Sequence, residues 1–451
     1  MEEKVVKYYN DEVKTQYKEL VEYFLGKKDH TEKFTNEGLV LKDKGYLKVI
    51  TKPGDTPNSP VFQMCAPSLK ILTDKEINDI SMGKIPIHLF THTDLDGQMS
   101  GAVVRTYFNL PALVDNFTIV KYNYSGPAIY DALNDLYSRN GIAIITDLNL
   151  NPKLLTKIIY SFNKIIWIDH HLNSLMNMRS IIDNWYPDSK KDIAFILDTR
   201  YSATMIAFLF LANLTSNHEW NHKYIVNNEN IPESVILTSI YDTHNLESPD
   251  DYTKSSYLNQ FYWDNVNNMQ MEFDIYKLIL DNAGNDTVDR MIKTGEELFA
   301  INQKKLVKIY ENTAIYSAEA DGIIYKGMVG NGNLLLMSPD KDYNSHCNIL
   351  IKFNNQTDFK VSVYSTNSKI SEINLTKIIV NRLNGHRLAS GMNDTYYSYQ
   401  GLVADIYKDR DIKEDLEVKI DHPEFADERI KFIFGTLATI IHHAWKTKRA
   451  V

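Results

Sequence analysis

The strongest constraint in this sequence is a recurrence. Three short apolar runs, IPIHLF from Ile85, GIAIIT from Gly141 and KIIWI from Lys164, each lead into groups that bind protons or metal ions. His92, Asp94 and Asp96 follow the first run, Asp147 the second, and Asp169, His170 and His171 the third. Apolar runs of this length, separated by amphipathic segments, are the pattern of strands buried on both faces of a parallel sheet with crossover helices between them. The expected fold class is therefore α/β, with a doubly wound, mostly parallel sheet. Ligands of such sheets bind beyond the carboxyl ends of the strands, where all of these residues fall.

The first cluster, in HTDLDG, places His92, Asp94 and Asp96 at every second position. On a segment that is still extended, all three side chains would point the same way. Two carboxylates and an imidazole converging on one spot are unfavourable without a positive charge among them. A further acid, Asp242 in SVILTSIYDTHN, follows another apolar segment and can close the ring. Oxygen ligands mixed with imidazole suit Mn²⁺ or a similar ion better than thiolate-bound Zn²⁺. The number of acids points to two ions, with Asp147 as the natural bridge. Taken singly, each feature has a plainer reading. Asp-x-Asp-Gly also makes turns and calcium-like loops, Asp147 and Asp242 can cap helices, and the pair His442 and His443 reads as helix surface and packing. The conjunction, in order, at the ends of successive strands favours a site.

With 451 residues the chain exceeds what a single core usually holds, so two domains are expected. A hydrophobic fraction of 43% with 24% charged residues is that of an ordinary globular protein. No apolar run reaches the ~18 residues needed to span a bilayer, and MEEKVVKYYNDEVK is no signal peptide, so a cytoplasmic protein with no membrane partner is expected. Cys65 and Cys347 are far apart and in no metal-ligand spacing, which reads as two reduced thiols. The net charge of -9 gives no global footprint for long nucleic acid, but allows a short anionic substrate in a locally positive cleft.

Residues 1–84, with a helical-looking KTQYKELVEYFL and a turn-rich TKPGDTPNSP, form an N-terminal extension of unknown role. The catalytic domain is expected over 85–270 and a helical linker over 271–312. A smaller α/β domain follows over 313–451, with strands in GIIYKGMVG, GNLLLM, NILIKF and FKVSVYS and a packed helix in IKFIFGTLATIIHHAWK.

The series HTDLDG, ITD (Ile145–Asp147), IDHH (Ile168–His171) and YDT (Tyr241–Thr243) resembles the four motifs of the DHH phosphoesterase superfamily. NGHRLASG (Asn384–Gly391) is similar to the GGHxxAAG loop of the DHH-associated C-terminal domain. The resemblance covers the chain from about residue 85 to about residue 445. Within the superfamily, HTDLDG and YDTHNLES followed by SYLNQFYW are most similar to the branch of nanoRNase-type oligoribonucleases and cyclic-nucleotide phosphodiesterases.

This resemblance implies a mechanism. His92, Asp94 and Asp147 would hold one Mn²⁺, and Asp96, Asp147, His170 and Asp242 a second, with Mg²⁺ or Co²⁺ as substitutes. Catalysis would fall to Asp147 and to His171, the latter facing the phosphate as donor or proton source. Asp169 would fix a ligand imidazole or cap a helix. Gly385, His386, Arg387 and Gly391 would bind substrate, their loop leading into a tight helix start. Two departures stand out: Asn384 replaces the first glycine, and Tyr364 stands where many relatives have an arginine, as a stacking surface or simply as packing. The implied function is hydrolysis of short oligoribonucleotides to mononucleotides, in a monomer or a homodimer. The alternatives are a RecJ-like single-strand DNA exonuclease, a cyclic dinucleotide phosphodiesterase, and a non-catalytic nucleotide-binding protein.

Overall fold

The structure, a computed structural model, describes residues 31–35, 38–41, 50–52, 62–64, 72–108, 117–122, 141–150, 152–162, 164–171, 174, 192–197, 201–214, 231–244, 248–265, 285–330, 345–365, 375–379, 383–385 and 389–447. The helix expected in KTQYKELVEYFL, the strand expected in GNLLLM, and Cys65, His386 and Arg387 lie outside these residues. Two compact units are formed: Met1–Asp242 with Lys254–Ile292, and Thr243–Thr253 with Lys293–Val451. Among the described residues, no helix is long and apolar enough to cross a membrane.

Four short strands, β1 (Thr31–Thr35), β2 (Gly38–Leu41), β3 (Ile50–Lys52) and β4 (Phe62–Met64), pair in chain order as an antiparallel sheet. The start of the turn-rich TKPGDTPNSP is thus strand, at Thr51 and Lys52. Helix α1 (Asp74–Ser81) follows, closed at its start by a reciprocal capping box between Thr73 and Glu76.

The first unit is organised by five strands, β5 (Ile87–His92), β6 (Phe117–Tyr122), β7 (Ile142–Thr146), β8 (Lys164–Asp169) and β9 (Asp192–Leu197). They lie in the order β6-β5-β7-β8-β9 and every neighbouring pair is parallel. This is the parallel α/β sheet expected from the apolar runs, and its strands are buried as such sheets require: every residue of β7 is buried, as is Trp167 on β8. The strand order also fixes where a site can form. The chain leaves β5 toward β6 on one side, then returns to place β7 on the other side of β5, so the topological switch lies between β5 and β7. At such a point the successive connections diverge and leave a crevice at the strands' carboxyl ends.

Helix α2 (Leu95–Tyr107) follows β5 and is buried along nearly its whole length, packed against β5, α4 (Ala203–Leu214) and α5 (Glu233–Asp242). Helix α3 (Pro152–Ser161) joins β7 to β8, and α6 (Pro249–Asn265) and α7 (Asn285–Tyr310) complete the helices before the second sheet. The expected 271–312 helical segment therefore contains α7, and the boundary between the units falls inside that helix, at Ile292 and Lys293.

The second unit is a mixed sheet of seven strands in the order β14-β15-β13-β12-β11-β10-β16. Its strands are β10 (Ile315–Ala320), β11 (Ile323–Val329), β12 (Cys347–Phe353), β13 (Asp358–Ser365), β14 (Asn384–Gly385), β15 (Ala389–Thr395) and β16 (Lys419–Asp421). Only β11 and β12 run parallel; the other neighbours are antiparallel. One face packs on α8 (Leu375–Ile378), α9 (Tyr396–Arg410) and the apolar α10 (Glu428–Thr447) through Tyr325, Ile349, Val361, Phe434 and Leu437. His442 on α10 is tied to the Tyr325 hydroxyl at 3.2 Å and to Asp321 at 3.2 Å, a packing role as expected. Cys347 is a buried thiol, pushed up to about 12 by that burial, which keeps it protonated and unreactive.

Candidate active site

The strand β5 ends at His92, and α2 begins at Leu95 with Asp94 as its N-cap, whose carboxylate accepts a hydrogen bond from the Gly97 amide at 2.9 Å. The expectation that His92, Asp94 and Asp96 share one extended segment is thus wrong in its mechanism. Asp94 offers its carboxylate to the unsatisfied amides of a helix start, a contact of about 1 kcal/mol, and this turns the chain after two residues. The three side chains meet because a strand end, a cap and a first helical turn are folded together. Gly97 makes that turn possible: a Cβ there would lie 2.5 Å from the His92 carbonyl oxygen. The Tyr262 hydroxyl, on α6, donates to the Thr93 carbonyl at 2.6 Å and holds the turn from outside.

Asp147 follows β7 with φ of 55°, in the left-handed region. This conformation is uncommon outside glycine, though aspartate tolerates it better than most. It does not cap α3. Its amide donates to the Ile168 carbonyl at 3.0 Å, and its carboxylate is turned back over the sheet end. Oδ2 lies 3.9 Å from His92 Nδ1, while Oδ1 lies 3.0 Å from His170 Nε2. The two oxygens of one carboxylate therefore address two different groups of ligands.

His92 and Asp94 stand on the Oδ2 side, with His92 Nδ1 at 2.6 Å from Asp94 Oδ2. On the other side, His170 Nε2 is 3.4 Å from Asp242 Oδ2 and 3.8 Å from Asp96 Oδ2. Asp242 is the last residue of α5, where the negative end of the helix dipole disfavours a carboxylate. It is not a cap in the stabilising sense. Donor atoms of His92, Asp94 and Asp147 lie within 4.8 Å of one another, as do those of Asp96, His170 and Asp242.

Two residues show contacts that spacing did not reveal. Asp96 is buried, and its two carboxylate oxygens accept the amides of Ala203 (2.8 Å) and Thr204 (2.9 Å) at the start of α4. A carboxylate at a helix N-terminus is well placed. Asp169 is fully buried; Oδ1 accepts the His170 amide and the His171 ring Nδ1–H, each at 2.8 Å, and Oδ2 accepts the Ser174 hydroxyl. The imidazole that Asp169 fixes is thus that of His171, not that of His170, the histidine expected to be a ligand. Neither Ala203, Thr204 nor Ser174 carried a signal in the sequence, because small residues at helix starts are too common.

The electrostatics of the cluster favour a cation. Burial and the charges of Asp94, Asp96, Asp242 and Asp169 raise Asp147 well above the ordinary carboxylate range. Burial and the Asp96 and Asp94 charges raise Asp242 in the same way. Burial and Asp94 raise Asp96 to about 6, against the opposing hydrogen bonds of Ser202 and Thr204. Burial pushes Asp94 upward too, but the His92 contacts and the Gly97 amide outweigh it, so this carboxyl is lowered. Burial, with His171 and His92 nearby, holds His170 well below its usual value and so neutral. Neutral imidazoles and crowded carboxylates are the donor set of a cation site. Asp147 Oδ2 is buried and accepts no hydrogen bond, which suits a metal-ligand atom.

The C-terminal loop differs from expectation. Ala389 and Ser390 do not open a helix; they begin β15, which pairs with β13 (Ala389 with Tyr364, Gly391 with Ser362) and with β14 (Asn384 with Gly391, Gly385 with Ser390). The helix starts later, at Tyr396 behind its Thr395 cap. Gly391 is required by the sheet itself, since a Cβ would lie 2.8 Å from the Val361 carbonyl oxygen. Tyr364 is half-buried, with its ring 5.4 Å from that of His244. His244, also with positive φ, shares a hydrogen bond between its Nδ1 and the Tyr252 hydroxyl at 2.8 Å.

No protein-family profile matches this chain, and no curated protein does. Among solved structures the chain is similar to the DHH domain of an archaeal-type ribosomal-protein family member (15% identity, TM-score 0.47, covering 75% of this chain and 88% of that one). It is similar to RecJ in complex with Mn²⁺ from Thermus thermophilus (13%, TM-score 0.37, 75% of this chain and 55% of that one). It is also similar to the pGpG-specific phosphodiesterase PggH from Vibrio cholerae (12%, TM-score 0.31, 72% of this chain and 98% of that one).

Proposed function

We propose that this chain is a DHH-superfamily phosphodiesterase that hydrolyses short oligoribonucleotides to mononucleotides. The observation that carries the proposal is Asp147: one carboxylate oxygen faces His92 and the other faces His170, at the switch point of a parallel sheet. His92, Asp94 and Asp147 hold one divalent ion, and Asp96, Asp147, His170 and Asp242 hold a second, with Mn²⁺ the best match to this mixture of oxygen and imidazole donors. When bound, such ions acidify a water and neutralise charge on the phosphate. The protein's own groups do the rest. Asp169 orients His171, whose ring then presents Nε2 to a non-bridging oxygen or to the leaving group. Gly385, His386, Arg387 and Gly391 hold the non-reacting part of the nucleotide. Residues 85–270 form the catalytic domain, and 313–451 the substrate-binding domain.

The test is turnover of a panel of dinucleotides, a pentanucleotide, a ~20-mer RNA, single-stranded DNA and cyclic dinucleotides by purified protein with Mn²⁺. Preferred release of mononucleotides from the shortest RNAs is the expected result. Faster degradation of the single-stranded DNA would install a single-strand exonuclease instead, and no turnover of any substrate would leave a binding protein.

A further inference from the structure

On the second sheet, strand register sets two lysines side by side. Lys352 on β12 is the direct antiparallel partner of Lys360 on β13, and both are exposed. Residues directly opposite on one face of a sheet have Cβ atoms about 5 Å apart, and like charges in that position are destabilising. Among the described residues neither ammonium has an ion pair. The carboxylate on the same face two positions along β13, Asp358, takes hydrogen bonds from Asn355 and Thr357 instead. The next position outward across the sheet, opposite Lys360, is the exposed Asn393, so no acid offsets the pair there.

The neighbourhood of this pair is specific. Two residues along β13 on the same face is Ser362, and its partner is Gly391, the last residue of the loop segment assigned above to substrate. On β12 the corresponding step leads to Leu350, within the small apolar cluster of Tyr310, Ile315 and Met328. The lysines therefore stand at the edge where apolar cover ends and the face bearing Ser362 and Gly391 begins. In a chain of net charge -9, two uncompensated cations at such an edge are a local exception.

We propose that Lys352 and Lys360 form a phosphate subsite that holds the backbone of an oligonucleotide longer than a dinucleotide. It rests on the nucleotide-hydrolase reading above and extends it: the Gly391 face takes the end of the shortest substrates, and the lysine pair is engaged only by additional phosphates. Contact is to phosphate alone, so RNA and DNA of equal length gain equally.

The experiment compares the wild type with Lys352→Gln, Lys360→Gln and the double variant. Binding of a fluorescein-labelled pentanucleotide, RNA or DNA, is measured in EDTA at two salt concentrations, and kcat/KM for an unlabelled dinucleotide is measured with Mn²⁺. The expected result is pentanucleotide affinity reduced about tenfold in the double variant, with the salt slope falling by about 0.7 per lysine removed. Dinucleotide turnover stays within twofold, and thermal stability stays equal or rises as repulsion is relieved. Restoring charge with Lys352→Arg/Lys360→Arg restores affinity. Unchanged pentanucleotide affinity, or an equal loss on both substrates, overturns the subsite while leaving the hydrolase reading intact. A wild type that turns over nothing, yet binds the pentanucleotide through these lysines, overturns the hydrolase reading and leaves the subsite standing.

Discussion

His171 Nδ1 and Asp169 Oδ1 lie 2.8 Å apart, and this hydrogen bond sets which ring nitrogen of His171 remains for chemistry. With Nδ1–H donated to a fully buried carboxylate, the tautomer and ring orientation are locked and Nε2 lies on the other side of the ring. The net effect on basicity is upward: burial lowers His171, but the charge and hydrogen bond of Asp169, helped by Asp94 and Asp96, outweigh it.

His171→Ala is therefore expected to lower kcat by the ~10²- to 10⁴-fold typical of a lost proton-transfer group, with metal content unchanged. Asp169→Asn, which keeps the shape but loses the charge, is expected to reproduce part of that loss. Metal analysis of the purified variants alongside kinetics decides the matter; an ion lost with His171 makes it a ligand instead.

Asp147→Ala removes the one carboxylate that addresses both ligand groups. Its expected phenotype is loss of turnover together with weakened binding at both ion positions, whereas Asp94→Ala and His170→Ala each weaken one. Calorimetric titration with Mn²⁺ reads the stoichiometry directly, and full activity of the Asp147 variant contradicts the shared-ligand arrangement.

Acidity and metal should trade against each other in stability. Asp96, raised to about 6 in the fold, binds its proton more tightly there than in the unfolded chain. Its contribution falls as pH rises from about 4 toward 6 and is unfavourable above that, and Asp147 and Asp242 act in the same direction. In EDTA the melting temperature is expected to drop between about pH 5 and about pH 7.5. Mn²⁺ is expected to shrink that drop by several degrees, because a cation satisfies the same carboxylates. Scanning calorimetry with and without Mn²⁺ across this range tests it, and an equal drop in both conditions counts against the cation site.

Gly97→Ala places a methyl 2.5 Å from the His92 carbonyl oxygen, and a methyl has no rotamer by which to escape that backbone contact. The expected cost is about 1–3 kcal/mol of stability from overpacking, together with reduced metal affinity, since His92 and the Asp94 cap must move apart. Urea denaturation and Mn²⁺ titration of this variant measure the two effects, and a variant that matches the wild type in both removes the close approach from the account.

What the sequence determined by itself was local. Apolar runs of five or six residues can only be buried strands of a parallel sheet or short pieces of core helix. Their spacing chose the sheet, and the position of Asp147, Asp169 and His170 at the end of each run put them at its carboxyl edge. The tertiary structure decided everything that depends on which atom faces which. Asp94 and Asp96 looked like successive teeth of a strand, but the helix start captured Asp94 as a cap and the distant α4 amides captured Asp96. The segment after the Gly385 loop looked like a helix start, but pairing with β13 made it a strand. Lys352 and Lys360 are eight positions apart in the text and became neighbours only through hairpin register. Side-chain periodicity is a short-range property of the backbone. Caps supplied from another element, ring tautomers and cross-strand partners are long-range contacts, and their free energies exist only once the chain has folded.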